Sequence, residues 1–272
     1  MQYILNGTPI PEKEAVVPIT DKAYFFDFAI YESLKIIKGK VFFPEYHIDR
    51  LFESAEIIDL RHSYKKEGIL NWMDMVIKEN NLTDAFLKIV LIGDPDENKN
   101  PKLYIMPLTG VTYYPKQFYN KGVKVITYAG ERRFPKAKTK DLLLSFLALR
   151  EANRNGAIEA IMIDSGSNMR EGTRSNFIAI KDGAMIIPPK EKVLEGITKK
   201  MIIKSCEKDF KIKEEDIPLS KIKDYDEFFI SSTLFNVLPI NQIDGIKLKT
   251  DFAQTKKIQK LFREYYHENV LN

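Results

Sequence analysis

Three lysines stand at alternate positions in the stretch RRFPKAKTKDLLLSF, residues 132–146: Lys136, Lys138 and Lys140. A lysine amine attacks a carbonyl carbon once it has lost its proton, and burial and neighbouring cations both favour that loss. If the segment is a strand, alternate spacing places all three ammonium groups on one face, and only a kink near Pro135 or at the start of the following helix separates them. The alternative is a solvated basic loop that leads into a helix.

Three other short motifs contain groups that bind anions. In EGITKK, Gly196 precedes an amphipathic helix whose first free amide groups belong to Ile197 and Thr198, and helix N-termini attract phosphate. In FFISSTLFN, an apolar strand pattern ends in three consecutive hydroxyl residues, the last of which is Thr233. Arg50 adjoins the apolar face of a helix in HIDRLFES, where a guanidinium group can hold a phosphate. Taken singly, an ordinary N-cap, a polar strand end and a surface ion pair explain these features more simply.

A carboxylate is placed between two strands in MREGTRSN, where Glu171 precedes Gly172. At such a kink a glutamate can hold a ring nitrogen in its protonated form, and an ordinary turn carboxylate is the alternative. The chain contains three histidines and one cysteine, Cys206, with no spacing typical of metal ligands. We therefore expect no metal site and no internal disulfide.

The composition is typical of a globular protein. Of the 272 residues 44% are hydrophobic, and the formal net charge of +4 is small, so nucleic-acid binding is not indicated. The opening MQYILNGTPI has no apolar run behind a basic start, and no apolar run approaches the ~18 residues that cross a bilayer. We expect a cytoplasmic protein with no membrane partner.

Strand and helix patterns alternate irregularly along the chain. AIYESLKIIKGKVFF reads as a hairpin with KGK at its turn, and PEYHIDRLFESAEIIDL has apolar residues at helical spacing. Hairpins with intervening helices favour an α+β fold over a doubly wound sheet. The predicted division is a small N-terminal α/β domain over 1–107, an irregular connector over 108–121, and a larger C-terminal domain over 122–272 with a mixed strand core and flanking helices.

The motifs occur in a characteristic order: YES, HIDRL, a lysine-bearing loop before a helix containing REA, EGTRSN, LEGIT and SST. This order resembles that of the class IV aminotransferases, the fold-type IV pyridoxal-phosphate enzymes. The group includes branched-chain and D-amino acid aminotransferases and aminodeoxychorismate lyase. The resemblance covers roughly residues 3–245 and implies the two-domain fold-type IV architecture, pyridoxal 5′-phosphate as cofactor, amino acid and 2-oxo acid substrates, and a homodimer.

The resemblance also implies roles for individual residues. Lys138 matches the catalytic lysine that forms a Schiff base with the cofactor. The implied cofactor contacts are Arg50, Glu171, Leu194, Ile197, Thr198 and Thr233. The implied substrate contacts are Tyr31, Lys88 and Leu234.

Within the cofactor set, each residue matches a different part of the ligand. The phosphate contacts are Arg50, Ile197, Thr198 and Thr233. Glu171 matches the carboxylate on the pyridine nitrogen, and Leu194 matches the aliphatic residue on the ring face. Substitution of Arg50 is expected to weaken cofactor retention without unfolding the protein.

The substrate end departs from the family pattern. Phe86 and Lys88 stand where branched-chain enzymes carry tyrosine and arginine, and Ile92 stands where D-amino acid enzymes carry arginine. A lysine lacks the bidentate geometry of an arginine clamp. The implied reaction is a branched-chain-aminotransferase-like transamination. The alternatives are a D-amino acid aminotransferase, a 4-amino-4-deoxychorismate lyase that eliminates pyruvate, and a cofactor-free binding protein.

Overall fold

The computed structural model describes residues 1–96, 98–108 and 114–271, and the chain forms two compact units. The first unit comprises Met1–Thr112, Ala137–Asp141 and Val270–Asn272, and the second comprises Tyr113–Lys136 and Leu142–Asn269. The boundaries differ from the predicted division chiefly at Ala137–Asp141, which belongs to the first unit because its backbone pairs with a strand there. Among the described residues, no helix combines the length and the apolar character needed to cross a membrane.

The first unit is built on a six-stranded antiparallel sheet. Its elements are β1 Gln2–Leu5, β2 Thr8–Pro11, α1 Lys22–Phe26, β3 Ala29–Ile37, β4 Lys40–Val41, α2 Pro44–Ile57, α3 Lys66–Glu79, β5 Ala85–Ile92 and β6 Lys102–Leu108. The strand order is β2-β1-β6-β5-β3-β4. In β3 the alternate residues Ile30, Leu34 and Ile36 are fully buried in the core shared with α2 and α3. Glu32 lies on this apolar face, since side chains alternate along a strand.

The second unit is built on a nine-stranded mixed sheet. Its elements are α4 Lys116–Lys121, β7 Val123–Ala129, α5 Leu143–Arg154, β8 Glu159–Ile163, β9 Met169–Gly172, β10 Asn176–Lys181, β11 Ala184–Ile187, α6 Ile197–Cys206, β12 Lys211–Glu214, β13 Glu227–Ser232, β14 Asn236–Ile243, β15 Ile246–Lys247 and α7 Ala253–Tyr266. The strand order is β12-β11-β10-β13-β14-β7-β8-β9, with β15 on β14. Because β9 also pairs with β10, the strands from β10 to β9 close into a ring.

The α+β prediction is confirmed, and one local expectation needs correction. Within the predicted connector, Leu108 ends β6, residues 109–113 lie outside the described residues, and Lys116–Lys121 forms α4. Pro115 caps this helix, and Phe118 packs against the core of the second unit. The residues after β13 continue after a short turn into β14, a central strand despite Pro239.

Candidate active site

Lys138 lies in a short extended segment whose backbone is held from two sides. Its N–H donates to Ser54 Oγ in α2 at 3.0 Å, and its carbonyl accepts from Tyr31 N in β3 at 3.0 Å. The N–H of Lys140 donates to Ala29 O at 2.9 Å. These bonds fix the backbone on both sides of the Lys138 side chain.

The three lysines of the KAKTK segment do not share a face. Lys136 is exposed, and its Nζ lies 3.3 Å from Glu191 Oε2. Lys138 is half-buried, and its Nζ lies 4.7 Å from the centroid of the Tyr31 ring. The chain turns at 135–136, and Thr139 makes only an isolated bridge with β3, so the segment is not a regular strand. The turn therefore separates Lys136 from Lys138.

A second ammonium group contacts the same aromatic ring. The Nζ of Lys88 in β5 lies 4.7 Å from the Tyr31 centroid. Burial lowers the pKa of Lys88, and the nearby charge of Lys140 lowers it further. A ring face attracts a cation through its quadrupole, so Tyr31 holds the amines of Lys88 and Lys138 on one side of the first unit's sheet.

A buried carboxylate, Glu32, connects β3 to α2 on the opposite face of the sheet. Arg50 donates Nε to Glu32 Oε1 and Nη2 to Oε2, each at 2.7 Å. The Nδ1 of His47 lies 2.7 Å from Oε2. His47 and Arg50 are three residues apart on α2 and therefore project from the same face of the helix.

The charges in this group shift the titration of two members. Burial would raise the pKa of Glu32, but Arg50 and His47 more than offset it and hold the pKa far below its usual range. Burial lowers the pKa of His47, against the opposing effect of Glu32 and with support from Arg50 and Lys138. At neutral pH the group therefore contains a carboxylate, a guanidinium and a neutral imidazole that donates through Nδ1.

The geometry corrects two expectations for Arg50. It is 6% exposed and so is not a surface ion-pairing residue. Removal of Arg50 leaves the Glu32 carboxylate buried without its guanidinium partner. We therefore expect Arg50→Ala to lower the stability of the fold as well as cofactor retention.

In the second unit, Glu171 in β9 contacts Arg132 and Leu194. Arg132 Nε lies 3.0 Å from Glu171 Oε1, as an ion pair rather than an aligned hydrogen bond. The N–H of Leu194 donates to Glu171 Oε2 at 3.3 Å. Glu171 is 3% exposed, so protein groups rather than solvent surround its carboxylate.

The N-terminus of α6 forms a separate polar cluster in the second unit. Gly196 is the N-cap and supplies no side-chain hydrogen bond to the helix. Thr198 Oγ1 lies 3.5 Å from Thr233 Oγ1, in the turn after β13. Among the described residues, the buried hydroxyls of Ser231 and Ser232 at the end of β13 have no hydrogen-bond partner. An uncapped helix start beside hydroxyl groups fits an anion such as a phosphate.

The structure groups the residues that the sequence singled out within each unit. The first unit brings together Tyr31, Lys88 and Lys138, with Arg50 on the other face of the sheet. The second brings Glu171 to Leu194, and Thr198 to Thr233, with Ile197 at the start of α6 and Leu234 in the turn before β14.

Sequence reasoning missed several partners of these residues. Glu32 interrupts the apolar alternation of β3, and a charge on that face requires a partner, which His47 and Arg50 at helical spacing provide. This signal was available in the sequence. No comparable local signal identifies Arg132 or Asn176, because their partners Glu171 and Leu194 lie on other elements.

Comparison with known proteins agrees with these observations. The family model for amino-transferase class IV matches residues 29–243. The chain is 31% identical to a D-alanine aminotransferase of Listeria monocytogenes, over 100% of this chain and 96% of that protein.

Two solved structures have similar folds. A branched-chain amino acid aminotransferase of Escherichia coli superposes with a TM-score of 0.90 at 25% identity, over 97% of this chain and 93% of that one. A T.th. branched-chain amino acid aminotransferase, solved with pyridoxamine 5′-phosphate, has a TM-score of 0.90 at 20% identity, over 99% and 97%.

The chain belongs to the class IV aminotransferase family, and its fold is that of the fold-type IV enzymes. The resemblance drawn from the motifs is confirmed. Members of this family use pyridoxal 5′-phosphate, so the chain is an enzyme of pyridoxal-phosphate-dependent transamination.

Proposed function

We propose that the chain exchanges the amino group of an amino acid with a 2-oxo acid and that Lys138 is its catalytic lysine. The observation that carries this assignment is the position of Lys138. Its backbone is held by β3 and α2, and its Nζ lies 4.7 Å from the Tyr31 ring centroid. Lys136 is instead exposed beside Glu191. An amine held against an aromatic ring on a fixed backbone is suited to move a proton at the substrate α-carbon.

The residues of the second unit supply groups that fit the cofactor. Ile197 and Thr198 would donate backbone amides to its phosphate, and the hydroxyl of Thr233 would add a further donor. Glu171 would hold the pyridine nitrogen protonated, and Leu194 would pack on a ring face. When bound, the cofactor accepts the electron pair that remains after α-proton removal.

The first unit supplies the remaining groups. Arg50 binds Glu32 through Nε and Nη2, and its guanidinium charge would also serve the phosphate. Lys88 would pair with a substrate carboxylate, because it is half-buried and lies near a second cation, Lys140. Tyr31 would orient both amines, and Leu234 of the second unit would contact the substrate.

For the amino donor, we favour branched-chain L-amino acids. A D-amino acid donor is the second candidate, because the relative from Listeria monocytogenes is named a D-alanine aminotransferase. Against it, Ile92 stands where D-amino acid enzymes carry an arginine.

A donor panel tests these choices. Purified enzyme with pyridoxal 5′-phosphate is given L-leucine, L-isoleucine, L-valine, D-alanine or D-glutamate, with 2-oxoglutarate or pyruvate as acceptor. We expect the branched-chain donors to give the highest kcat/KM, and Lys138→Ala is the matched blank. If the enzyme releases pyruvate from aminodeoxychorismate without an amino acceptor, the proposed transamination is wrong and the lyase reaction takes its place.

We further infer a cytoplasmic homodimer, and three observations support it. Exposed apolar patches mark interfaces, and in α1 the side chains of Tyr24, Phe25 and Phe26 are 56%, 68% and 72% exposed. Cys206 is a single buried thiol, as expected in a reducing compartment. The balanced charge favours neither nucleic acid nor a membrane as partner.

Phe25→Ser with Phe26→Ser should yield a monomer in light scattering, and an unchanged dimer mass would show that this patch is not the interface.

A further inference from the structure

Three buried polar side chains form a row across the sheet of the second unit. Asn176 in β10 is the register partner of Glu171 in β9 and of Ser231 in β13. Side chains directly opposite on neighbouring strands point to the same face of a sheet. They are 7%, 3% and 1% exposed, respectively, so this row is inside the protein.

Two members of the row hold the backbone of Leu194 from both sides. Glu171 Oε2 accepts the Leu194 N–H at 3.3 Å, and Asn176 Nδ2 donates to the Leu194 carbonyl at 2.8 Å. Both hydrogen-bonding groups of Leu194 are thus satisfied by one cross-strand pair. The position of this residue is therefore set by the register of β9 against β10.

Asn176 also contacts the residue that begins α6. A Cβ on Gly196 would lie 1.7 Å from Asn176 Oδ1. The φ of Gly196 is −69°, which any residue can adopt, so glycine is required here for space and not for backbone conformation. Asn176 therefore packs against both ends of the segment 194–196 that leads into the helix.

The turn that joins Glu171 to Asn176 has its own buried anchor. Glu159 accepts the N–H of Thr173 at 3.1 Å, the Thr173 hydroxyl at 2.6 Å and the Ser175 hydroxyl at 2.9 Å. Since the turn is fixed by these bonds, β9 and β10 keep the register that aligns the row.

We propose that Asn176 is a positioning residue for the cofactor, acting through Leu194 and Gly196. This rests on the proposed function, in which Leu194 contacts the ring and the first amides of α6 bind the phosphate. By fixing both ends of the segment 194–196, Asn176 holds the ring contact and the phosphate contact in one arrangement before the cofactor arrives. Such preorganisation lowers the entropy lost on binding.

Two Asn176 variants test the role in cofactor binding by the apoenzyme. Asn176→Ala and Asn176→Leu should each raise the Kd for pyridoxal 5′-phosphate about 10- to 100-fold. Asn176→Leu keeps a similar volume, removes the amide donor and adds no charge, so it remains informative if the alanine variant folds poorly. Asn241→Ala is the control, because Asn241 Nδ2 likewise donates to a carbonyl, that of Lys121, at 2.8 Å.

Phosphate discrimination separates positioning from stability alone. Pyridoxal lacks the phosphate, so the ratio of its Kd to that of pyridoxal 5′-phosphate reports the contribution of the phosphate contacts, those of the helix N-terminus included. This ratio should fall in both Asn176 variants and stay unchanged in Asn241→Ala. A lower melting temperature with an unchanged ratio would show that Asn176 only stabilises the fold, and would overturn the proposal.

The contact between Asn176 and Gly196 gives an independent test. Gly196→Ala should weaken cofactor binding strongly in the parent, where the added methyl group meets Asn176 Oδ1. In an Asn176→Ala background that atom is absent, so Gly196→Ala should weaken binding by a smaller factor. The same factor in both backgrounds would contradict the proposed packing.

Failure of the proposed function looks different from failure of this inference. If borohydride does not fix the cofactor on Lys138 of the parent, both are overturned. If borohydride fixes the cofactor on Lys138 in the parent and in both Asn176 variants, and all three proteins bind pyridoxal 5′-phosphate with the same Kd, only the positioning role is overturned.

Discussion

The two units bury a carboxylate in contrasting ways. Glu32 in the first unit accepts from the Arg50 guanidinium and lies beside the His47 imidazole. Glu159 in the second unit accepts from neutral donors, the backbone and hydroxyl of Thr173 and the hydroxyl of Ser175. The first arrangement depends on charge, whereas the second depends on the shape of a turn.

This contrast extends to the other polar residues of each unit. In the first unit, two amines flank Tyr31, and Arg50 is committed to Glu32, so a change at one position alters the field at the others. In the second unit, side chains hold the backbone, and Gly172 and Gly196 have no room for a Cβ. We therefore expect the first unit to be sensitive to charge and pH, and the second to small changes of volume.

The largest expected effect is the loss of transamination in Lys138→Ala. The variant removes the group that we propose attaches the cofactor and moves the α-proton, and general acid–base catalysis alone is worth about 10²- to 10⁴-fold. We expect kcat to fall by at least about 10³-fold in a coupled assay for the 2-oxo acid product.

Lys136→Ala is the matched control, since it removes an exposed amine two residues away. It should keep kcat within a few-fold of the parent. Borohydride should fix the cofactor on the peptide that contains Lys138, and a label on Lys136 or Lys140 would contradict the assignment.

A matched pair of substitutions tests the contrast between the buried carboxylates. Glu32→Gln leaves the Arg50 guanidinium buried without its anion, and breaking a buried ion pair in this way costs about 3–5 kcal/mol. Glu159→Gln should cost less, about 1–3 kcal/mol, because hydroxyl groups can reverse their role and accept from the new amide. The free energy of unfolding in urea measures both. Equal losses would show that charge is not what distinguishes the two networks.

Glu171→Gln should act on the rate rather than on the fold. The amide cannot compensate a protonated ring nitrogen, and loss of one preorganised electrostatic contact costs about 10²- to 10³-fold in kcat. The cofactor Kd should change much less. Glu191→Gln, an exposed carboxylate in the same unit, is the control. A Glu171→Gln enzyme within a few-fold of the parent would remove Glu171 from this role.

The sequence predicted the elements with strong periodicity and the order of the motifs. Hairpins, the helix with Arg50 and the helix after Gly196 are all local patterns, and each is present. It did not predict β14, because Pro239 argues against a central strand. In the structure this proline pairs with Phe229, and a bulge follows it at Ile240.

For the candidate site, sequence identified residues but not their partners. The motif HIDRL contains both His47 and Arg50, yet their relation to Glu32 depends on the packing of α2 on β3. The register of β9 and β10, which aligns Glu171 with Asn176, likewise follows from a turn anchored by Glu159, which is distant in sequence. Contacts of this kind are set by tertiary structure and leave little local signal.

The smallest expected effect is a pH dependence of stability that arises in the first unit. His47 has a pKa below its ordinary value of 6.5, and Glu32 has a pKa below its ordinary value of 4.5. In both cases the unfolded chain binds more protons. The contribution of each group to stability is therefore complete above the ordinary pKa of the unfolded chain, and it is lost as the pH falls from that value through the lower pKa of the folded state.

We therefore expect the melting temperature to fall from pH 7 to pH 5.5 through His47 and through His62, whose pKa burial also lowers, and further near pH 4 through Glu32. His47→Gln keeps a neutral donor for Glu32 and cannot titrate, so it should reduce the slope of the curve between pH 7 and pH 5.5. His267→Gln removes an exposed histidine from the second unit and should leave the parent curve unchanged. If His47→Gln keeps the full slope, the acid sensitivity in this pH range does not come from the Glu32 group, and the contribution assigned to His47 is wrong.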